Sequence, residues 1–529
     1  MEFHWPPLIR SLLDPSRYPH PVSRVEVVET HISYVLLTGD YAYKVKKPLD
    51  LGFLDFSTLA KRRHGCEEEL RLNRRTAPGL YQAVLPITGS PEDPELDGAG
   101  EPNEYAVRMV QFDPALRADR CLERGELGAA EMADLGERVA ELHEGARQPA
   151  PDQEYGTWDA VRRDQRENLE QLRAELPGLG LEEERFAHLA AWVEGFLESH
   201  GDLFGERRST GRVREGHGDL HLANLALLDG VLTPFDAIEF DPALRFTDVM
   251  ADVAFTWMDL RFRERRDLAV PFLNAYLEAG GDYPGLRLLP FYTVYRALVR
   301  AKVAALQAGE TEDPERRGRL REEALRYFAL AESAAGENAA MLIIARGVTG
   351  VGKSLVSRPL LARLGGVRIR SDVERKRLAG LEPEAGSGSA VGGGIYGEEL
   401  SARTYQRLLD LARPALAAGF PVYLDATYLA GERRRAAHAL AADLDVPYVI
   451  LDLHAPEAVI RGWLRERAGQ QGVVSEGNEA VLEHQLAHQD PLDADEQAHA
   501  VPVDTSRELD FDALAAEVRR RAAPANGGA

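Results

Sequence analysis

The sequence predicts a two-lobed α+β body followed by an α/β domain built on a doubly wound parallel sheet. Three observations predict it. Strand-like patterns, interrupted by one charged helix, fill residues 25–112, and helical periodicity then dominates from 127 to 327 apart from a strand-rich insert at 217–240. Beyond 341, short apolar runs alternate with helical patterns, which calls for parallel strands joined by right-handed crossovers. Between these regions Ala334-Ala-Gly-Glu-Asn-Ala339 has linker composition, so the expected domains are residues 1–335 and 339–525.

The totals agree with that division. A chain of 529 residues is too long for one core, and 44% apolar residues make it globular. Lys and Arg number 63 against 86 Asp and Glu, a net charge of −23, which disfavours a nucleic-acid coat or an anionic membrane surface as partner. The two cysteines, Cys66 and Cys121, can form no disulfide framework and lack metal-site spacing. The first residues, Met-Glu-Phe-His-Trp-Pro-Pro, show no basic and apolar leader pattern, and no later run is long enough to span a bilayer. The expected location is the cytoplasm; the sequence is silent on oligomeric state.

In the amino-terminal body, strands are expected at 25–28, 32–37 and 41–46, a charged helix at 57–73, and further strands at 81–87 and 105–112. The polar insert 89–102 between the last two reads as a surface loop or long hairpin tip. Helices are expected at 127–143, 159–176, 182–199 and from 247 on. The chemistry lies in His217-Gly-Asp219-Leu-His221-Leu-Ala-Asn224, an Asp followed five residues later by an Asn between short strands, and in Phe235-Asp236 at the end of the next hairpin. That is how a base and two metal ligands are laid out for phosphoryl transfer. Upstream, Lys44 on the third strand and a carboxylate from Cys66-Glu-Glu-Glu69 form a candidate ion pair. Lys44 and Lys46 share a strand face, so spacing separates neither them nor Glu67, Glu68 and Glu69. His217 and His221 are expected to brace the loop rather than bind metal.

These residues, with Leu135-Gly-Glu-Arg-Val-Ala-Glu-Leu-His143, resemble the aminoglycoside phosphotransferase/choline kinase branch of the protein-kinase-like fold. The resemblance covers residues 1–335 and implies a bilobal kinase-like domain. It implies Asp219 as the group that orients or deprotonates an acceptor hydroxyl, Asn224 and Asp236 as Mg²⁺ ligands, and Lys44 on the nucleotide phosphates with Glu69 as its partner. Thr38-Gly39-Asp40 is a poor substitute for a phosphate-covering glycine loop.

In the carboxy-terminal domain, Gly347-Val-Thr-Gly350-Val-Gly352-Lys353-Ser354 fills every fixed position of G-x-x-x-x-G-K-[ST], between an apolar strand at 341–345 and a helix that opens at Leu355. Gly347, Gly350 and Gly352 let the backbone wrap a phosphate chain, Lys353 reaches the β- and γ-phosphates, the Ser354 hydroxyl sits on Mg²⁺, and the helix amides from Leu355 complete the cradle. Further strands are expected at 367–369, 422–425 and 448–453. Asp372, at the carboxyl end of the second strand, is placed to take a proton from a hydroxyl nucleophile. The residues Ser371-Asp-x-x-Arg375 and Asp425-Ala-Thr427 resemble the P-loop kinases that include 5′-hydroxyl polynucleotide kinases, zeta toxins and small-metabolite kinases. That resemblance implies Asp372 as base, Arg375, Asp425 and Thr427 near the acceptor, and one of Arg461, Arg465 or Arg467 as a catalytic arginine beside a polar lid at 468–477. Arg433 to Arg435 read as a solvated helix face, and 385–394 as a flexible low-complexity loop.

The expected function is a bifunctional, ATP- and Mg²⁺-dependent phosphotransferase. Each site would pass the γ-phosphate to a hydroxyl acceptor, a small molecule or, less favoured and only at the carboxy-terminal site, a 5′-hydroxyl nucleic-acid end. The alternative is a single P-loop kinase carrying a catalytically silent, ligand-sensing amino-terminal domain.

Overall fold

The computed structural model describes residues 5–52, 54–381, 397–467 and 478–523, Arg467 without its side chain. By its contacts the chain divides into two compact units, residues 1–135, 141–166 and 197–259 forming one, and residues 136–140, 167–196 and 260–529 the other. That division runs across the expected boundary near 335, because helices that precede the linker pack with the carboxy-terminal sheet.

The first unit is organised on a six-stranded antiparallel sheet. Its strands are β1 (Glu26–Glu29), β2 (Ser33–Leu37), β3 (Tyr41–Lys46), β4 (Tyr81–Ser90), β5 (Asp93–Leu96) and β6 (Glu104–Val110), in the order β1-β2-β3-β6-β4-β5. The polar insert is a hairpin, with β5 paired to the end of β4. Leu36, Tyr43, Val45, Leu85, Ile87 and Ala106 pack on one side with Ile9 and Leu12. On the other side lies the helix Leu59–Asn73, started by Thr58, whose hydroxyl accepts from the Lys61 amide, and burying Cys66, Glu69 and Leu72. It comes so close to β3 that a Cβ on Gly65 would stand 2.7 Å from the Phe56 ring and 3.1 Å from the Lys46 side chain. After the helix Ala129–Gly145 come β7 (Val213–Glu215), the hairpin β8 (Leu225–Leu228) and β9 (Val231–Pro234), and β10 (Phe246–Asp248), which pairs with β7. Asp229 and Gly230 join β8 to β9 with φ of 50° and 80°, the left-handed pair that a tight two-residue hairpin turn requires.

The second unit contains a five-stranded sheet of β11 (Met341–Arg346), β12 (Val367–Arg370), β13 (Pro421–Asp425), β14 (Tyr448–His454) and β15 (Ala500–Asp504), all parallel, in the order β12-β13-β11-β14-β15. Leu342, Ile343, Ile344, Val422, Tyr423, Leu424, Val449 and Ile450 are fully buried, as strands covered on both faces must be. The sequence reading missed β15, a short edge strand whose Pro502 hides the pattern. The strand order reverses at β11, which places a binding crevice at its carboxyl end.

At the opposite edge, β12 would leave backbone groups unpaired. The helix Arg266–Gly280 covers them. Asn274 donates to the Gly366 carbonyl at 3.0 Å and accepts the Arg368 amide at 2.6 Å, and the Tyr283 hydroxyl donates to the Arg368 carbonyl at 3.3 Å. An orphaned buried backbone group costs roughly 1–3 kcal/mol. Asn274→Leu should therefore speed hydrogen exchange at the Arg368 amide and lower the stability of this unit by about that amount. Unchanged protection at Arg368 would show that the edge is satisfied some other way.

Candidate active sites

The period-two geometry of β3 turns Lys44 and Lys46 to the same side, and both reach Glu69. Lys44 Nζ lies 2.8 Å from Oε1 and Lys46 Nζ 2.7 Å from Oε2. Glu67 pairs instead with Arg63, and Glu68 with Arg71 and Arg245. The two lysines part company at their second partners. Lys44 meets Asp236 at 2.6 Å, whereas Lys46, deeper, meets the buried Glu239. Burial alone would strip charge from Lys44, but Asp236, Glu69 and Glu239 outweigh it and hold its pKa well above the ordinary value. Two lysines face three carboxylates, and burial pushes up the pKa of Glu239 despite Lys46. Burial would also raise Glu69, yet the paired lysines hold it below the usual carboxylate range. Glu239 was not anticipated; its signal is a Glu three residues beyond Asp236.

The catalytic-type loop is held from behind by Asp252, also unanticipated. Its carboxylate accepts the His217 amide at 2.6 Å and the Gly218 amide at 2.8 Å, and meets His143 Nε2 at 3.3 Å. Burial opposes this charge, but the hydrogen bonds and His143 hold Asp252 far below the carboxylate range. A Cβ on Gly216 would stand 2.2 Å from that carboxylate, so only glycine fits. Burial keeps His217 neutral; Nε2 meets the Phe235 carbonyl at 3.0 Å and Nδ1 accepts the Asp219 amide at 3.3 Å, which assigns the proton to Nε2. Asp219 receives Asn224 Nδ2 at 2.8 Å. The Phe235 amide donates to the Asn224 carbonyl at 3.0 Å across the base of the β8–β9 hairpin, so Asp236 directly follows a residue bonded to Asn224, and the Asp236 amide donates to the Tyr81 hydroxyl at 3.1 Å. Asp236 itself has φ of 62°, a strained left-handed residue that aims its carboxylate at Lys44. The turn 38–40 joins β2 to β3, and the β1–β2 connection, residues 30–32, contains no glycine.

Beside the loop, Glu215 gathers Arg71, Arg147 and Arg245, with Arg75 on its backbone carbonyl. Arg71 and Arg245 also hold Glu68, so the helix carrying Glu69 is tied to the loop through the neighbouring residue.

In the second unit the glycine loop follows β11. Gly350 and Gly352 have φ of 78° and 93°, and a Cβ on Gly347 would meet the Leu453 carbonyl at 2.9 Å. Lys353 Nζ donates to the Gly347 and Val348 carbonyls at 3.1 and 2.8 Å. The Leu355 amide donates to the Gly352 carbonyl at 3.0 Å as the helix Lys353–Leu364 begins. Asp425 ends β13, the strand next to β11, and accepts the Ser354 hydroxyl at 2.9 Å. Asp425 therefore sits against the serine of the glycine loop. Thr427 shares a hydrogen bond with the Tyr405 hydroxyl at 3.0 Å, and its carbonyl accepts the Gly347 amide. Asp372 is the second residue of the helix Ser371–Leu378, whose cap is Arg370, so it is not an N-cap. Buried Arg375 donates to Ser401 Oγ at 3.0 Å.

Of the lid arginines, Arg461 pairs with Glu457, Glu479 and Glu483, and Arg465 with Glu479. The Arg467 side chain, the lid stretch 468–477 and the loop 385–394 lie outside the described residues. The reading of Arg433–Arg435 as a solvated face fails at Arg434, which is 1% exposed, bonded twice to Glu496 and to the carbonyls of Tyr428, Leu429 and Pro491. Among the described residues no helix is long and apolar enough to cross a membrane.

Residues 342–492 match the family model described as an AAA domain. The chain is 31% identical over 455 residues, 85% of its length and 88% of theirs, to uncharacterized proteins of Mycobacterium bovis and Mycobacterium tuberculosis. Among solved structures it is similar in part to a choline kinase from Cryptosporidium parvum Iowa II, at 11% identity over 62% of this chain and 94% of that one, with a TM-score of 0.39. It is also similar in part to a gluconokinase from Sinorhizobium meliloti 1021, at 20% identity over 35% and 91%, with a TM-score of 0.24.

Removing a partner from a buried ion pair costs roughly 3–5 kcal/mol, so Glu69→Gln should destabilise the first unit by about that much in denaturant unfolding. Because the folded pKa of Glu69 is depressed, its contribution is complete above about pH 4.5 and is lost as pH falls further. The gap between wild type and variant should narrow on the acid side; a gap independent of pH would remove the ion pair as its cause.

Proposed function

We propose that this chain, which belongs to the same family as the mycobacterial proteins just described, is an ATP-dependent phosphotransferase with two kinase-type sites, one in each of the stretches 1–335 and 339–525. The observation that carries the reading is the Phe235–Asn224 backbone bond, which draws the Lys44–Glu69–Asp236 group and the Asp219–Asn224 group into one site. A module that only bound a ligand would have no use for the whole set.

At the amino-terminal site, Lys44 binds the α/β-phosphates and Glu69 fixes its position. Asn224 and Asp236 offer oxygen donors, the hard ligands Mg²⁺ prefers. Mg²⁺, when bound there, neutralises charge on the phosphates. Asp219 receives the proton of a small-molecule hydroxyl as its oxygen bonds the γ-phosphorus and the bond to the ADP oxygen breaks.

At the carboxy-terminal site, Gly347, Gly350, Gly352, Lys353 and the Leu355 amide cradle ATP, and Ser354 holds Mg²⁺ with Asp425 behind it. Asp372 is the base, Arg375 and Thr427 shape the acceptor side, and Arg467 is the catalytic arginine; Arg461 and Arg465 pair with carboxylates. A hydroxyl small molecule is favoured over a nucleic-acid end at a chain charge of −23.

Two measurements on the full-length chain test this. With the P-loop disabled by Lys353→Ala, calorimetry should still find one Mg²⁺-linked ATP site, and adding Asp236→Asn should abolish it. No metal-linked binding in Lys353→Ala would leave one kinase attached to a sensor. Separately, Asp219→Asn and Asp372→Asn should each preserve ATP affinity while lowering transfer at their own site by roughly 10²–10⁴. A collapse of ATP affinity in Asp372→Asn would make Asp372 a metal residue instead.

A further inference from the structure

Three guanidinium groups, from Arg358, Arg368 and Arg370, lie within electrostatic reach of one another around β12, the strand that Asp372 follows. Arg368 and Arg370 alternate along β12 and therefore face the same side. Arg358 comes from the helix Lys353–Leu364, which packs on β12; its neighbour Ser357 accepts from Arg368 Nη1 at 3.4 Å. One carboxylate serves the cluster. Glu278 takes Arg368 at 3.1 Å with one oxygen and Arg370 with the other. Arg358 has no hydrogen bond or ion pair among the described residues and remains open to solvent. Of the other nearby carboxylates, Asp425 accepts from Ser354 and Glu374 is held by Arg377 and Arg407, while Asp372 attracts Arg370 less than Glu278 and Asp425 do.

An isolated surface arginine without a partner is ordinary. One held against two others is not, because like charges repel unless an anion joins them. The electrostatics agree: partial burial first, then Arg368 and Arg370, push the pKa of Arg358 down, and the attractions of Glu278 and Asp425 rank behind them. The cluster is also placed for a substrate. Arg370 is the last residue of β12, in register with Asp425, and directly precedes Ser371 and Asp372.

We infer that the carboxy-terminal site selects acceptors that carry an anionic group, carboxylate or phosphate, near the reacting hydroxyl, and that Arg358 and Arg370 bind this group. A planar guanidinium takes either oxyanion through two parallel N–H donors, and a second guanidinium beside it supplies the remaining charge. The inference rests on the reading of residues 347–355 as the γ-phosphate site.

The test uses full-length protein saturated with Mg²⁺ and a non-hydrolysable ATP analogue, so that the phosphate-binding loops are filled. Glycerate and inorganic phosphate, as carboxylate and phosphate probes, are titrated by calorimetry at constant ionic strength, with glycerol as the neutral comparison. At least one anion should bind, glycerol should not, and which anion binds identifies the group. Arg358→Gln should weaken that binding roughly tenfold to a hundredfold, the worth of a hydrogen bond to a charged group. Glu278→Gln, which removes the competing carboxylate, should not weaken it. No anion binding with nucleotide in place, or equal affinity in Arg358→Gln, overturns the inference while leaving the kinase assignment standing. Failure of the analogue itself to bind overturns that assignment instead.

Discussion

Everything in the amino-terminal site follows from one carboxylate shared by two lysines. Glu69 is wholly enclosed, and a lone ion there would be prohibitively costly to desolvate. It is tolerated because each oxygen has its own ammonium partner. That demand explains why the helix Leu59–Asn73 lies so tightly against β3 and why residue 65 has no side chain to interfere. It also explains the left-handed backbone at Asp236, the conformation that delivers a second carboxylate to Lys44 without displacing Glu69. Lys46 and Glu239 form an inner layer behind the pair, fixing the geometry from the side that solvent never reaches.

A second charge cluster does for the loop what Glu69 does for the strand. Asp252 grips two successive amides ahead of Asp219, and Glu215 collects arginines from three separate segments. Such groups are not economical sources of stability, since burial opposes each one. What they supply is direction: a charged hydrogen bond tolerates little misalignment, and the loop bearing Asp219 is fastened by several where the chain enters it.

The sequence was most legible where chemistry fixes residue type and spacing together. The glycine loop could be read outright, because Lys353 and Ser354 have meaning only at set distances from Gly347. The strand–helix alternation around it followed from apolar runs that stand out in any window. Residues whose importance lies in a distant partner were invisible. Nothing local distinguishes Asp252 from other acids on a helix, or Asn274 from a solvent-facing amide, until the segments they touch are known. Runs of like residues misled for a related reason. Arg433, Arg434 and Arg435 look equivalent in one dimension, but helical geometry points the middle one inward onto Glu496. The adjacent glutamates 67–69 divide in the same way, each to partners of its own.

The amide of Asn274 is the feature with the widest reach. A parallel sheet ending in an open strand invites any extended peptide to join it. Here the invitation is declined by a helix that lies, in sequence, well before the linker. The stretch from 339 onward is thus not a cassette that could be lifted out intact or grafted elsewhere: severed at the linker, it would carry a raw, adhesive border. Joining both halves in one chain then has a mechanical rationale. Recombination that shuffled the carboxy-terminal half alone would have to bring its own cover for β12, which makes the fusion easier to keep than to undo.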